Sequence, residues 1–273
     1  MVDGHAHVLP GLRFSYPVDE LWKRGITAVI DMGSQTSASF NRHRYLVDEA
    51  PCVVNACLGL SSMSETQGEI SRYTVLDKEI DKEKIKDLFA MHPDVLIGMK
   101  VFIGHNDSPG AELTHAVMKK AREVCDYVGC RMFVHVANPD IPFPELIDYF
   151  NSGDNFTHTY NKGNILNEKG EVYQEAFEAK KRGVLFDSAR GSRNWSAEVA
   201  KSAFAQGFTP DVITDDLTAL SNDPQTSRLT VHIGECMAMG MSFDDALYHA
   251  TNVPASYMKG VDCLLYTSDA ADD

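Results

Sequence analysis

Eight short apolar, largely β-branched runs punctuate the chain: Val2–Val8, Ile26–Gly33, Cys52–Leu60, Val95–Ile103, Arg131–Ala137, Asn155–Tyr160, Val184–Ser188 and Asp211–Asp215. Most are continuous rather than alternating, as in parallel strands buried on both faces. Helical periodicities lie between most of them, clearest over Glu83–Met91, Glu112–Val128, Pro144–Ser152, Tyr173–Arg182 and Ser196–Gln206. Two more follow the last run, over Leu229–Met239 and Phe243–Thr251. Strand and helix alternating eight times predict an α/β fold, a (β/α)8 TIM-like barrel. The 273 residues suit one such barrel, which takes ~250. Gly129, Gly183 and Gly207 each stand between a helical pattern and the next strand, where a left-handed closing residue is wanted. The three prolines between Asn138 and Pro144 demand a loop.

Composition narrows the partners. There are 25 basic and 39 acidic residues, a formal net charge of -14. Such a surface repels nucleic-acid phosphates and anionic lipid, so neither is an expected partner. A negative surface is still compatible with a cation site, because bound divalent ions reverse the local field. No apolar run is long enough to cross a membrane, and no basic start followed by an apolar stretch marks a signal peptide. The six cysteines form no CxxC pair and sit mostly in apolar contexts, which predicts free thiols in a reducing, cytoplasmic setting. Residues 1–262 are expected to form the barrel. The tail from Cys263 to Asp273 is small, acidic and without period, and reads as non-native or as an ordinary disordered end.

Polar residues gather at one end of the strand runs. His5 and His7 end the first, Lys100 lies within the fourth, His135 ends the fifth, His158 ends the sixth, and Asp215 and Asp216 end the eighth. Strand C-terminal ends share one face of a barrel, the face that carries active sites. Residues i and i+2 of a strand point the same way, so His5 and His7 can grip one cation. Alone, such a pair is as readily two ordinary polar histidines. Lys100, flanked by Ile97, Met99, Val101 and Phe102, cannot easily be buried as a free ammonium. Either it pairs with a carboxylate such as Asp216, or carbon dioxide carbamylates it into a carboxylate that bridges two cations. His135 and His158 could each be satisfied core histidines. The joint order of histidine, lysine, histidine, histidine and aspartate is what carries weight.

At these residues the chain resembles the amidohydrolase superfamily, in its dihydroorotase and hydantoinase branch. Within that branch it is most similar to the deacetylase group acting on acetylated α-hydroxy or α-amino carboxylates. The resemblance runs from about Val2 to Gly260. It rests on 2–8 (VDGHAHV), 25–34 (GITAVIDMGS), 98–101 (GMKV), 153–158 (GDNFTH), 207–213 (GFTPDVI) and 250–255 (ATNVPA). It implies a first metal on His5, His7 and the strand-eight aspartate, and a second on His135 and His158. Carbamylated Lys100 would bridge them, with a hydroxide between. The family's spacing from Asp211 selects Asp216 as ligand and catalytic proton carrier, with Asp215 as the alternative. Zinc is the expected metal, though manganese or iron could replace it. Relatives also carry a small β-sandwich built from segments on both sides of the barrel; it is lacking here, which implies a chain truncated at both ends.

Two departures fall where substrate should sit. Thr218 stands where the group often has a histidine, and 187–195 (DSARGSRNW) replaces a glycine-rich, histidine-bearing run. Arg190 or Arg193 could hold a substrate carboxylate by a bidentate pair, or be an exposed loop arginine. The function expected from the resemblance is metal-dependent hydrolysis of an acyl amide or ester of a small carboxylate. Ring opening of a cyclic amide is the alternative, and a non-catalytic binding barrel the third reading. Whether the chain forms a homo-oligomer stays open.

Overall fold

A parallel neighbour can be reached only through a crossover of a dozen or more residues, and a helix is the usual one. Strand–helix alternation therefore favours strands that pair in chain order. In the computed structural model, which describes residues 1–11, 15–60, 80–104, 110–221 and 228–261, they do. The strands are β1 (Val2–Ala6), β2 (Ala28–Thr36), β3 (Val53–Gly59), β4 (Leu96–Gly104), β5 (Arg131–Ala137), β6 (Asn155–Thr157) and β7 (Leu185–Asp187). They form one seven-stranded parallel sheet in the order β1 to β7. The helices are α1 (Phe40–Asp48), α2 (Lys82–Met91), α3 (Ala111–Val128), α4 (Phe143–Ile147), α5 (Gln174–Lys181), α6 (Ala197–Ala205), α7 (Leu229–Ala238) and α8 (Phe243–Ala255).

Register puts the polar side chains in rows. Laterally paired residues of a parallel sheet share a face. One row runs Phe102, His135, Thr157 and Asp187; the row beneath runs Gly59, Lys100, Phe133, Asn155 and Leu185. Gly33 makes room for the lower row: at φ 81, its Cβ would lie 2.5 Å from Lys100 Cβ. Most of the apolar core lies between the strands and the helices, where Phe156 packs against Phe143, Phe150 and Phe186, and Phe186 meets Phe208. Each buried phenyl of this chain is worth about 2 kcal/mol relative to exposure. A smaller cluster of Ala28, Ile30, Met32, Cys57, Ile97, Phe133, Tyr257 and Met258 underlies the polar rows.

The eighth expected strand is not a ladder. Segment 211–217 makes single parallel bridges, Val212 to Asp187 on β7 and Leu217 to Ala6 on β1. His7 N–H donates to Leu217 O (2.9 Å), and Ser188 N–H to Val212 O (2.9 Å). The interruption is conformational: Asp216 takes φ 52, which a continuous strand does not contain. For the same reason β6 stops at Thr157 instead of Tyr160, because His158 takes φ 63 and its carbonyl accepts from the Asn164 amide at 2.7 Å. The helix expected over Pro144–Ser152 ends at Ile147. Tyr149 and Phe150 then make tighter i to i−3 bonds, and the buried Asp154 carboxylate captures Asn151 N–H at 2.7 Å. Helix α1 and the 3-10 turn Val18–Arg24 were not expected, since α1 buries only Phe40 and its pattern is mostly polar. Gly129, Gly183 and Gly207 close their helices at φ 76, 96 and 81. The five described cysteines are free thiols; Cys263 and the tail beyond it lie outside the described residues. Among the described residues no helix is long and apolar enough to cross a membrane.

Asp31 ties β1 to β2. Its buried carboxylate accepts from the backbone N–H of Val8 (2.8 Å), Leu9 (2.9 Å) and Ser34 (2.9 Å), so it fixes the segment that carries His7. Asp31→Ala leaves buried donors unpaired and should cost about 3 kcal/mol. Urea unfolding checks this; a loss below ~1 kcal/mol would mean that the three donors find water.

Candidate metal centre

Six polar side chains from four strands and the closing segment meet at one rim. His5 lies in β1 and His7 one residue past its end; Lys100 is in β4 and His135 in β5; His158 follows β6, and Asp216 lies in the closing segment. The His135 and His158 ring centroids are 4.4 Å apart, His5 and His158 5.4 Å, and His5 and His7 5.9 Å. Asp216 Oδ1 lies 3.5 Å from His5 Nε2 and 3.6 Å from His7 Nε2, and the ligand atoms of these three residues fit within 4.8 Å of one another. Lys100 Nζ, fully buried, is 3.4 Å from His5 Nε2 and 3.5 Å from Thr157 Oγ1. Asp215 stands apart. Its N–H donates to Asp3 Oδ1, and its carboxylate, lifted to about 6 by burial, is attracted by Arg24 and Arg190.

The histidines are held from behind. His5 Nδ1 faces Asp187 Oδ2 at 3.1 Å, His158 Nδ1 donates to Ala189 O at 2.8 Å, and His7 Nδ1 faces Ser34 Oγ at 3.4 Å. A proton on each Nδ1 leaves Nε2 with its lone pair, the ligating tautomer, and an outer acceptor of this kind is the usual companion of a metal-bound imidazole. For His5 and His7, Nε2 is also the atom turned to Asp216.

Burial sets the protonation states. Desolvation, and then the neighbouring Lys100 charge, hold His5 well below the usual imidazole range and bring His158 to about 3. Both are therefore neutral near pH 7, as ligands must be. Desolvation lowers Lys100 to about 8, opposed by the attraction of Asp216. Burial raises Asp216 to about 8 and Asp187 to about 7, with Lys100 pulling both back. Two carboxylates that resist ionisation beside a lysine that resists protonation lack a compensating charge. Divalent cations among these donors would supply it and lower the carboxylate values. The donor set of imidazoles and carboxylates fits such ions.

Several supporting residues carried no recognisable signal in the sequence. Asp187 lay within a run noted only as a departure, yet besides His5 it accepts from Ala189 N–H (3.0 Å) and Thr214 Oγ1–H (2.6 Å). Asn194 hydrogen-bonds the Asp216 carboxylate and lowers its pKa. Arg190 differs from expectation. Its guanidinium is already a bidentate partner of Glu235, at 2.8 and 3.0 Å, so a substrate carboxylate would have to displace that pair. Arg193 is exposed. Asp187→Asn weakens the acceptor behind His5 and should reduce zinc affinity about 10- to 100-fold, measured by chelator competition. Unchanged affinity would show that His5 needs no carboxylate behind it.

No protein-family model matches the chain. It is 26% identical over 267 residues to a protein of Brucella anthropi described as a deacetylase, covering 94% of this chain and 65% of that protein. A deacetylase of Agrobacterium fabrum is also 26% identical over 267 residues, covering 94% of this chain and 64% of that one. This chain thus spans about two-thirds of the length of these relatives, slightly less than the full fraction in each case. Among solved structures, a dihydroorotase superposes with a TM-score of 0.79 at 26% identity, covering 95% of this chain and 70% of that one. Sequence likeness along nearly the whole chain, the matching fold and the histidine, lysine and aspartate cluster at the sheet rim agree: the chain is similar to these deacetylases and to the dihydroorotase, and the likeness supports the amidohydrolase superfamily.

Proposed function

We propose that the chain is the catalytic barrel of a metal-dependent hydrolase of deacetylase type, cleaving the acyl amide or ester bond of a small carboxylate. The supporting observation is the set of imidazoles anchored through Nδ1 with Nε2 turned toward Asp216 and Lys100. In this reading segment 211–217 serves as the eighth stave of a (β/α)8 barrel, an assignment supported by its bridges to β7 and β1. His5, His7 and Asp216 would hold one divalent cation and His135 and His158 a second, with Lys100, once carbamylated, as a further oxygen donor. Zinc suits these donors. Bound divalent cations supply Lewis acidity toward the substrate carbonyl and lower the pKa of water.

The chain's own groups do the rest. The neutral amine of Lys100 adds to the carbon of carbon dioxide and releases one proton, which replaces a buried cation by a carboxylate. Asp216, a carboxylate with raised proton affinity, takes the proton of the attacking water. As the C–N or C–O bond breaks, Asp216 returns that proton to the departing nitrogen or oxygen. With Arg190 bound to Glu235, Arg193 is the arginine proposed for the substrate carboxylate. Opening of a cyclic amide is the second reading, favoured by the likeness to the dihydroorotase structure, and it uses the same groups.

Carbon dioxide reacts with the neutral amine, and Lys100 is protonated below about 8 and neutral above it. Zinc uptake by metal-free protein should therefore depend on bicarbonate and quicken as pH rises from 7 to about 9. Lys100→Ala should lose most hydrolysis of N-acetyl and O-acetyl acids, insensitive to bicarbonate and partly restored by short carboxylic acids. Full activity in Lys100→Ala would remove the bridging role. Activity on dihydroorotate or hydantoins alone would favour the second reading.

A further inference from the structure

Outside the six-residue cluster, α7 carries a second polar constellation. His232 and Glu235, at positions i and i+3, share one face of the helix and turn toward the loop after β7. His232 is fully buried, with Trp195 edge-on against its ring at 4.7 Å. Its Nδ1 faces Glu235 Oε2 at 3.1 Å, and its Nε2 faces Ser188 Oγ at 2.8 Å. The Glu235 carboxylate can only accept, so His232 donates to it from Nδ1; the Nε2 lone pair then accepts from the Ser188 hydroxyl, whose oxygen accepts from Thr214 N–H at 3.3 Å. Glu235 completes the chain by its bidentate pair with Arg190, and Arg190 returns a bond to Gly191 O at 3.2 Å. Ser188 itself is fully buried, so this serine–histidine–glutamate series faces no substrate.

The chain grips the loop at both ends, at Ser188 and at Arg190. Between them lies Ala189, whose carbonyl orients His158 and whose φ of 36 is uncommon for a residue with a Cβ. Next comes Gly191, at φ 51, where a Cβ would lie 2.5 Å from Asp216 Oδ2. The loop is thus in contact with two members of the cluster, one on each side. Held left-handed residues persist only where surrounding bonds over-determine them.

We infer that Ser188, His232, Glu235 and Arg190 act as a positioning unit, through which α7 holds the 188–191 loop in the conformation that presents His158 and Asp216 to bound cations. The inference rests on the metal-dependent reading above. His232 and Glu235 act through the loop and touch neither cation nor substrate.

The test is a titration of metal-free protein with cobalt(II), which reports both affinity, by chelator competition, and ligand geometry, by its visible absorption band. Wild type, His232→Gln, Glu235→Gln and Ser188→Ala are compared, with thermal unfolding of each metal-free protein alongside. Wild type should take up about two equivalents. His232→Gln and Glu235→Gln should bind at least one equivalent about 10- to 100-fold more weakly, with a displaced absorption band in protein that remains folded. Ser188→Ala removes a single hydroxyl and should move the same readouts in the same direction; it carries the test if His232→Gln does not fold. Wild-type affinity and spectrum in all folded variants overturn the positioning role. Wild type that binds no cobalt overturns the metal-dependent reading, and this inference falls with it.

Discussion

A lysine on the inner face of a parallel sheet, with no exposure to water, is the constraint to which the rest of the rim answers. Removing Lys100 from water opposes its charge, and the shift from 10.5 to about 8 corresponds to roughly 3 kcal/mol of differential stabilisation. Burial and the Lys100 charge together drive the imidazoles of His5 and His158 to the neutral state. The carboxylates that could compensate are buried too, and pay their own desolvation in raised pKa values. A rim built this way is poised rather than content. Its polar groups are crowded together, and the charge that would reconcile them is of the kind a divalent cation would bring.

The alignment depends on groups behind the rim more than on the rim itself. Asp187, Ala189 O and Ser34 each turn one imidazole, Asn194 holds Asp216, and α7 in turn holds the loop containing Ala189. Among the described residues, four non-glycine residues take positive φ, at Asn138, His158, Ala189 and Asp216, and three of them belong to this region. Local backbone cost is thus concentrated where the rim's histidine and aspartate leave their strands, which is the pattern expected when geometry at a site outweighs regularity of the element.

That same concentration explains what the sequence could reveal. Period and composition gave away the strands, because continuous apolar runs are a local property, and seven of the eight became ladders close to their expected spans. Histidines two apart in β1 and a lysine inside an apolar run were legible for the same reason. What escaped were features decided at long range. The ends of β6 and of segment 211–217 are set by left-handed residues whose conformation depends on distant partners. Asp187 gains its meaning only from His5, 182 residues away, and Arg190 from Glu235, 45 away. The polar surface of α1 hid a helix that buries only Phe40.

The closing segment has a consequence for how the chain reaches this state. Asp3 meets Asp215 across a sequence separation of 212, and β1 finds its second neighbour only through Leu217. Contacts of such separation are slow to form, because the entropy of ordering the intervening chain is lost before the contact returns anything. As a ribosome extends the polypeptide, strands β2 to β7 can pair with their predecessors soon after they emerge. One edge of β1 must wait for most of the synthesis with its backbone donors and acceptors open. An open strand edge is a template for a foreign strand. The Asp3 and His5 side chains that β1 holds are poor material for such pairing, so the residues that place a carboxylate and an imidazole on this strand also disfavour a foreign strand until segment 211–217 arrives.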